Sequence, residues 1–267
     1  MFPLRTDTLP EDAEDLQAAL EDSLRRVIQP TRDMVAVEDK AYPQLAAIRI
    51  SLDDARAGYR PPAGIPAAAG AVEPALQVDV LELTGRPFFI ADAPVDLSCR
   101  ARDVRIGQSA GKDGKRLLIL QSAAEGNVEV AIAIADLEKL VLQAAKIEAA
   151  KQGVAVEEVR LDLRSPGDRA LELAVHVRAR KLFLSATVRM SGKAAVDEHL
   201  TARLSDLECS GEGALGSLAC GVLGPYLERF NGREFSLLAL PLGEIKLHDV
   251  RVATGNELRV SARFGGS

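Results

Sequence analysis

Residues 127–177 read NVEVAIAIADLEKLVLQAAKIEAAKQGVAVEEVRLDLRSPGDRALELAVHV, and the fold class turns on how the period changes along them. From Asn127 to Ile134 polar and apolar side chains alternate, the two-residue period of a strand with one wet face. Residues 136–152 then carry Leu137, Leu140, Val141, Ala144 and Ile147 at helical spacing, with Asp136 as the expected N-cap and Gly153 as the expected stop. Alternation returns at once in Val159, Leu161 and Leu163. It returns again in Leu171, Leu173, Val175 and Val177, with a turn expected at Ser165–Asp168. Strands that follow strands directly exclude a doubly wound parallel sheet, which needs a helix between them.

The flanking sequence extends the same pattern. Residues 10–29 predict an acidic helix with the stripe Leu16, Leu20, Leu24, Val27 and Ile28, stopped by Pro30. Residues 47–52 alternate as a strand. Residues 61–74 hold four Pro, two Gly and five Ala, which predicts a loop or tether. Further alternation at 76–80, 95–99 and 116–121 predicts more strands, with a turn at Gly111–Gly114. Leu182, Leu184, Ala186, Val188 and Met190 predict a strand closed by a turn at Ser191-Gly192, and residues 198–209 predict the next. A third helix is expected over 215–230, with Leu218, Val222, Leu223, Leu227 and Phe230 on one side and Pro225 inside it. Strands at 243–252 and 257–264 finish the chain. The reading is α+β: a long antiparallel meander wrapped against two or three helices. Residues 1–60 and 75–267 are expected to form one continuous domain, joined through the 61–74 loop.

Composition narrows the function. A chain of 267 residues, 47% apolar, with a net charge of −6, has enough apolar material for a sizeable core and too little charge to stay disordered. The 33 basic residues do not exceed the 39 acidic ones, so nucleic acid is not an expected partner. Over residues 1–60 there are 8 basic and 12 acidic side chains, a net of −4, so the acidity is mostly N-terminal. No basic segment leads into an apolar one at the N-terminus. The longest uncharged run, Gly213 to Leu227, is too short to span a bilayer. The expectation is a soluble protein, cytoplasmic as given unless this is a mature exported form.

Motifs for chemistry are sparse. Gly211, Gly213 and Gly216 match GxGxxG, but antiparallel surroundings and Glu212 argue for a flexible strand-to-helix connection instead of a pyrophosphate site. His176, His199 and His248 lie far apart in sequence and read as surface residues. Cys99, Cys209 and Cys220 read as small apolar side chains, with a Cys209–Cys220 bridge as the alternative. Arg178, Arg180 and Lys181, with Arg169 and Arg189, read as a solvated sheet face; peripheral contact with anionic headgroups is the sharper alternative. No catalytic residue, metal site or cofactor is expected. What remains is aliphatic surface, which either closes as a core or stays open as a seam for an acyl chain.

Three segments resemble a known family: Ile134–Leu140 opening a helix, Gly153–Val159 opening a meander, and Val188–Lys193. With the late helix and the strand pair after it, they resemble the LmeA-like bacterial domain. That domain is similar to the TULIP (tubular lipid-binding) superfamily, which includes BPI-like and SMP-like domains. The resemblance covers about residues 130–264 and extends toward residue 76. It implies a strongly twisted sheet wrapped around a long helix, an apolar seam for phospholipid or glycolipid tails, exported or membrane-anchored members, and no catalytic residues. The expected seam lining is Leu137, Leu140, Val141, Ala144 and Ile147 with inward strand residues Leu161, Leu173, Val175, Leu184 and Val188. The expected ligand is a phospholipid or other acyl lipid. The alternative expectation is a structural or protein-interaction module with a closed core, binding a partner through its acidic N-terminal helix or an exposed strand edge.

Overall fold

The computed structural model describes residues 2–4, 6–58, 68–151, 153–181, 184–237 and 245–266. In chain order the elements are β1 (Phe2–Pro3), α1 (Ala13–Arg25), β2 (Ile28–Gln29), β3 (Val35–Ala41), β4 (Gln44–Ser51), β5 (Arg56–Ala57), β6 (Glu73–Ile90), β7 (Ala93–Ala110), β8 (Arg116–Ser122) and β9 (Glu125–Ala133). There follow α2 (Ile134–Ala150), β10 (Ala155–Gly167), β11 (Ala170–Lys181), β12 (Leu184–Val196), β13 (Thr201–Glu212), α3 (Gly213–Phe230), β14 (Glu234–Ser236), β15 (Lys246–Thr254) and β16 (Glu257–Gly265). The architecture is α+β, rich in antiparallel sheet. The chain forms two compact units, one of Met1–Val130, Leu240–Asp249 and Ser261–Ser267, the other of Ala131–Ala239 and Val250–Val260.

The first unit has a closed core. Leu16, Leu20 and Leu24 of α1 are buried with Leu45, Ile48, Leu76, Val78 and Val104. The helix is shorter than the expected 10–29. It starts after Asp12, whose carboxylate accepts the Asp15 N–H at 2.8 Å, and it ends at Arg25. Ile28 instead pairs with Ala57 between β2 and β5, and Val27 is exposed, so neither continues the helical stripe. Glu21 accepts the Met34 and Val35 N–H groups at 2.9 Å each, which ties α1 to the start of β3. The strand order is β15-β16-β9-β7-β6-β4-β3, and it corrects the wholly antiparallel expectation. β4 runs parallel to β6, with Ile48 opposite Leu81. The link from Leu52 to Val72 has the length that a parallel crossover requires. Residues 61–67 of the expected loop lie outside the described residues.

The second unit is an antiparallel meander, β10-β11-β12-β13-β14, carrying α2 and α3. α2 begins at Ile134, whose N–H donates to the Asn256 carbonyl at 3.1 Å; Ala133 is the N-cap. Asp136 is therefore not the cap. It lies in the first turn and pairs with Lys139 at 2.7 Å. Gly153 ends the helix with φ +65°, a conformation glycine adopts without a steric penalty. β12 passes straight through Ser191-Gly192, where a turn was expected. Register shifts there by a bulge, and Leu207 packs where a Gly192 Cβ would stand, 2.4 Å away. The turn falls instead at Asp197, whose carboxylate accepts the His199 and Thr201 N–H groups at 2.9 and 2.8 Å.

Between β13 and α3 the chain folds back sharply. A Cβ on Gly211 would lie 2.2 Å from the Gly216 carbonyl, so only glycine admits this approach, and Gly213 takes φ +74°. The return lays α3 along β13 and brings the Cys209 and Cys220 Cα atoms to 5.4 Å, within bridging range. They form a disulfide, which corrects their reading as small apolar residues. Cys99 remains free and half-buried.

Candidate functional site

The two faces of the second unit's sheet differ completely. Strand register sets Val159, Val177, Val188 and Gly211 in one cross-strand row, and Leu161, Val175, Met190 and Cys209 in the next. This is the apolar face. α2 packs on its β10 side through Leu137, Val141, Ala145 and Ala149, and Glu138 accepts the Leu161 N–H of the edge strand at 2.7 Å. α3 is held at its β13 side by the disulfide. Between them, Leu173, Val175, Val177 and Met190 are only half-buried, and none of the 17 residues of α2 is fully buried.

The sequence-predicted residues divide over this face. Leu137, Val141, Leu161, Leu173 and Val175 join one apolar cluster, and Val188 is buried in the neighbouring row. Leu140, Ala144 and Ile147 do not belong to that cluster. They form a second, half-exposed stripe on α2, so the five helix residues expected on one lining face occupy two. The side chain of Leu184 lies outside the description.

α3 departs further from expectation. Leu218, Val222 and Phe230 were placed on one side with Leu223 and Leu227. Instead Leu218, Val222, Tyr226 and Phe230 are exposed, whereas Ala219, Leu223 and Leu227 are half-buried. Both stripes keep four-residue spacing, 218, 222, 226 and 230 against 219, 223 and 227, so spacing separates them without saying which is covered. Set against family models, curated proteins and solved structures, the chain matches none of them.

The opposite face of the sheet is charged. A cleft of about 440 Å³ is lined there by Asp162, Arg164, Glu172, Arg189, Lys193, Asp206 and Glu208. Opposite charges meet across it. Lys193 lies 3.2 Å from Asp206 and 3.5 Å from Glu172, and these carboxylates raise its ammonium above the ordinary lysine range. His176 meets Asp162 at 3.1 Å. The basic run is neutralised in the same way: Arg178 and Arg180 both face Glu157, at 3.5 and 3.4 Å. This is a solvated sheet face.

A second cleft, in the first unit, was not foreseen because four strands contribute to it. It measures about 590 Å³ and is lined by Arg100, Arg102, Glu125, Asn127, His248 and Arg263, with the Phe264 ring over Gly126. Each arginine meets a carboxylate: Glu82, shared with Arg49, for Arg100, Glu125 for Arg102 and Asp249 for Arg263. Among the described residues no group of three or more His, Cys, Asp or Glu side chains is arranged to hold a metal ion. Among them too, no helix is long and apolar enough to cross a membrane. The apolar face that carries α2 and α3 is a half-buried aliphatic surface, and it can offer hydrocarbon contact.

Proposed function

We propose that the chain is a non-enzymatic lipid-binding or lipid-transfer protein, with acyl chains held against the apolar face of the second unit. One observation carries the reading: a 17-residue amphipathic helix lies with its apolar side on an apolar sheet and buries none of its residues completely. A closed helix–sheet core would bury several, as α1 does in the first unit. Leu140, Ala144 and Ile147 on α2, with Leu173, Val175, Val177 and Met190 on the sheet, are the proposed hydrocarbon contacts. Each methylene taken from water is worth about 0.8 kcal/mol, so a chain of roughly sixteen carbons gains on the order of 10 kcal/mol before ordering costs. The succession of helix, meander, helix and strand pair supports the resemblance to LmeA-like domains and the TULIP superfamily. The disulfide supports an oxidising compartment. The first unit has a closed core, and no ligand is proposed there.

The test is solvent extraction of the purified protein followed by mass spectrometry, with titration of a fluorescent fatty acid. Acyl lipid should be recovered, and the probe should bind to the wild type and more weakly to I147W and V175W, which fill the slot. Protein that carries no lipid and leaves the probe free in solution would sink the reading.

A further inference from the structure

α3 hides one apolar stripe and displays another. Leu218 is 65% exposed, Val222 60% and Tyr226 64%, with Phe230 at 40% where the helix ends. At 1.5 Å per residue, they mark a line about 18 Å long. Soluble proteins seldom leave so many large apolar side chains aligned in water. The helix cannot roll to cover them, because Cys220 on its inner side is bonded to Cys209 and Gly216 is pressed against Gly211.

The charges around the stripe choose its partner. No carboxylate occurs from Gly213 to Leu227, and helical spacing sets Glu228 off the stripe. Arg229, seven residues on from Val222, continues the stripe itself. Arg233 lies over the Phe230 and Phe235 rings, 5.5 and 5.3 Å from their centroids. Neither guanidinium has a carboxylate partner among the described residues, whereas Arg178 and Arg180 on the charged sheet face and Arg100, Arg102 and Arg263 in the arginine cleft do. Aliphatic side chains along a helix, aromatic rings at one end and uncompensated arginines beside the rings match a membrane interface. There the apolar face enters the acyl boundary and the guanidiniums meet phosphates.

We infer that the outer face of α3 docks the protein on anionic phospholipid bilayers, Leu218, Val222 and Tyr226 entering the interface while Arg229 and Arg233 engage headgroup phosphates. The inference rests on the lipid-binding reading, to which it adds the surface through which a bilayer is approached. The helix lies in the plane of the interface and does not cross it.

The experiment is flotation of the full, oxidised chain with phosphatidylcholine vesicles, with and without phosphatidylglycerol. It compares the wild type, the triple variant L218S/V222S/Y226S and the pair R229Q/R233Q. Fatty-acid probe binding without vesicles is measured in parallel. The substituted side chains are mostly solvent-exposed, so circular dichroism should be unchanged. The wild type should float with the anionic vesicles. The triple variant should lose binding by about ten-fold or more. R229Q/R233Q should lose the gain given by phosphatidylglycerol together with its sensitivity to salt. Wild type that ignores both vesicles overturns the docking surface. So does a concentration-dependent dimer that the triple variant disperses, since a second copy then covers the stripe. Probe binding that persists while flotation fails sinks the docking surface alone; loss of both sinks the lipid reading with it.

Discussion

Cys209 and Cys220 show how little a single residue's position says before its neighbours are placed. Eleven residues apart, with one unpaired cysteine elsewhere, they carry no spacing signature. The bridge follows from the Gly211–Gly216 fold-back, and that was visible in sequence only as a glycine motif with a more familiar reading. Cys99 has the opposite history. Read as a small apolar side chain, it is half-buried and free, and burial pushes its thiol above the ordinary cysteine range. A thiol titration therefore makes a sharp prediction: one reactive thiol in unfolded, unreduced protein and three after reduction. In the native protein, alkylation of Cys99 should be slow at pH 8, with its midpoint displaced upward from the ordinary value of about 8.5. The native state holds this proton more tightly than the unfolded chain. The stability difference between wild type and C99A is therefore fully present below the ordinary thiol pKa and declines as pH rises toward the folded one. Three thiols in unreduced protein, or ordinary alkylation kinetics, would contradict this placement.

At the level of elements, periodicity located all three helices, and it misjudged their ends and faces for identifiable reasons. α1 starts where Asp12 can cap it, and α2 starts where a distant carbonyl, that of Asn256, satisfies its first N–H; no local pattern announces that partner. Four-residue spacing gives a helix an apolar stripe but does not say whether the stripe meets a sheet or water. α2 and α3 each carry two such stripes, so the helix residues expected on one face of the candidate site fall on two. Its sheet residues were legible because a two-residue period fixes a face once the register is known. The contrast between α1 and α2 is measurable. Leu20 is 4% exposed inside a closed core, so L20A should cost about 3 kcal/mol. Ile147 is half-exposed outside the apolar cluster, so I147A should cost under about 1 kcal/mol when no lipid is present. Urea unfolding of the delipidated variants distinguishes them. Equal losses would mean that α2 closes a core as α1 does, leaving no slot.

For the whole molecule, strands following strands gave the α+β class, and the meander of the second unit follows the chain in sequence order. The parallel pairing of β4 with β6 was not legible, because a register between strands separated by a long link leaves no trace in either strand's alternation. Nor was the division into two units, since the first recruits the chain's last residues. Those residues matter to it. Phe264 packs against the first unit's core with its ring where a Gly126 Cβ would be. Gly266 donates to the Ala123 carbonyl at 2.6 Å, and Asp249 is buried. A fragment of residues 1–130 keeps α1 and the long strands but loses the ring that fills the site above Gly126. It also cuts β9 short and leaves what remains as an open edge, because β16 is gone. The expected outcome is a fragment that unfolds at least about 3 kcal/mol more easily than the first unit in the intact chain, with broadened amide signals and a tendency to associate. The comparison is made by urea titration, with hydrogen exchange of Leu20 and Leu45 as the report from this core. A fragment as stable and as well protected as the full chain would show that the C-terminal strands add nothing to the first unit, and that it folds from a continuous stretch after all.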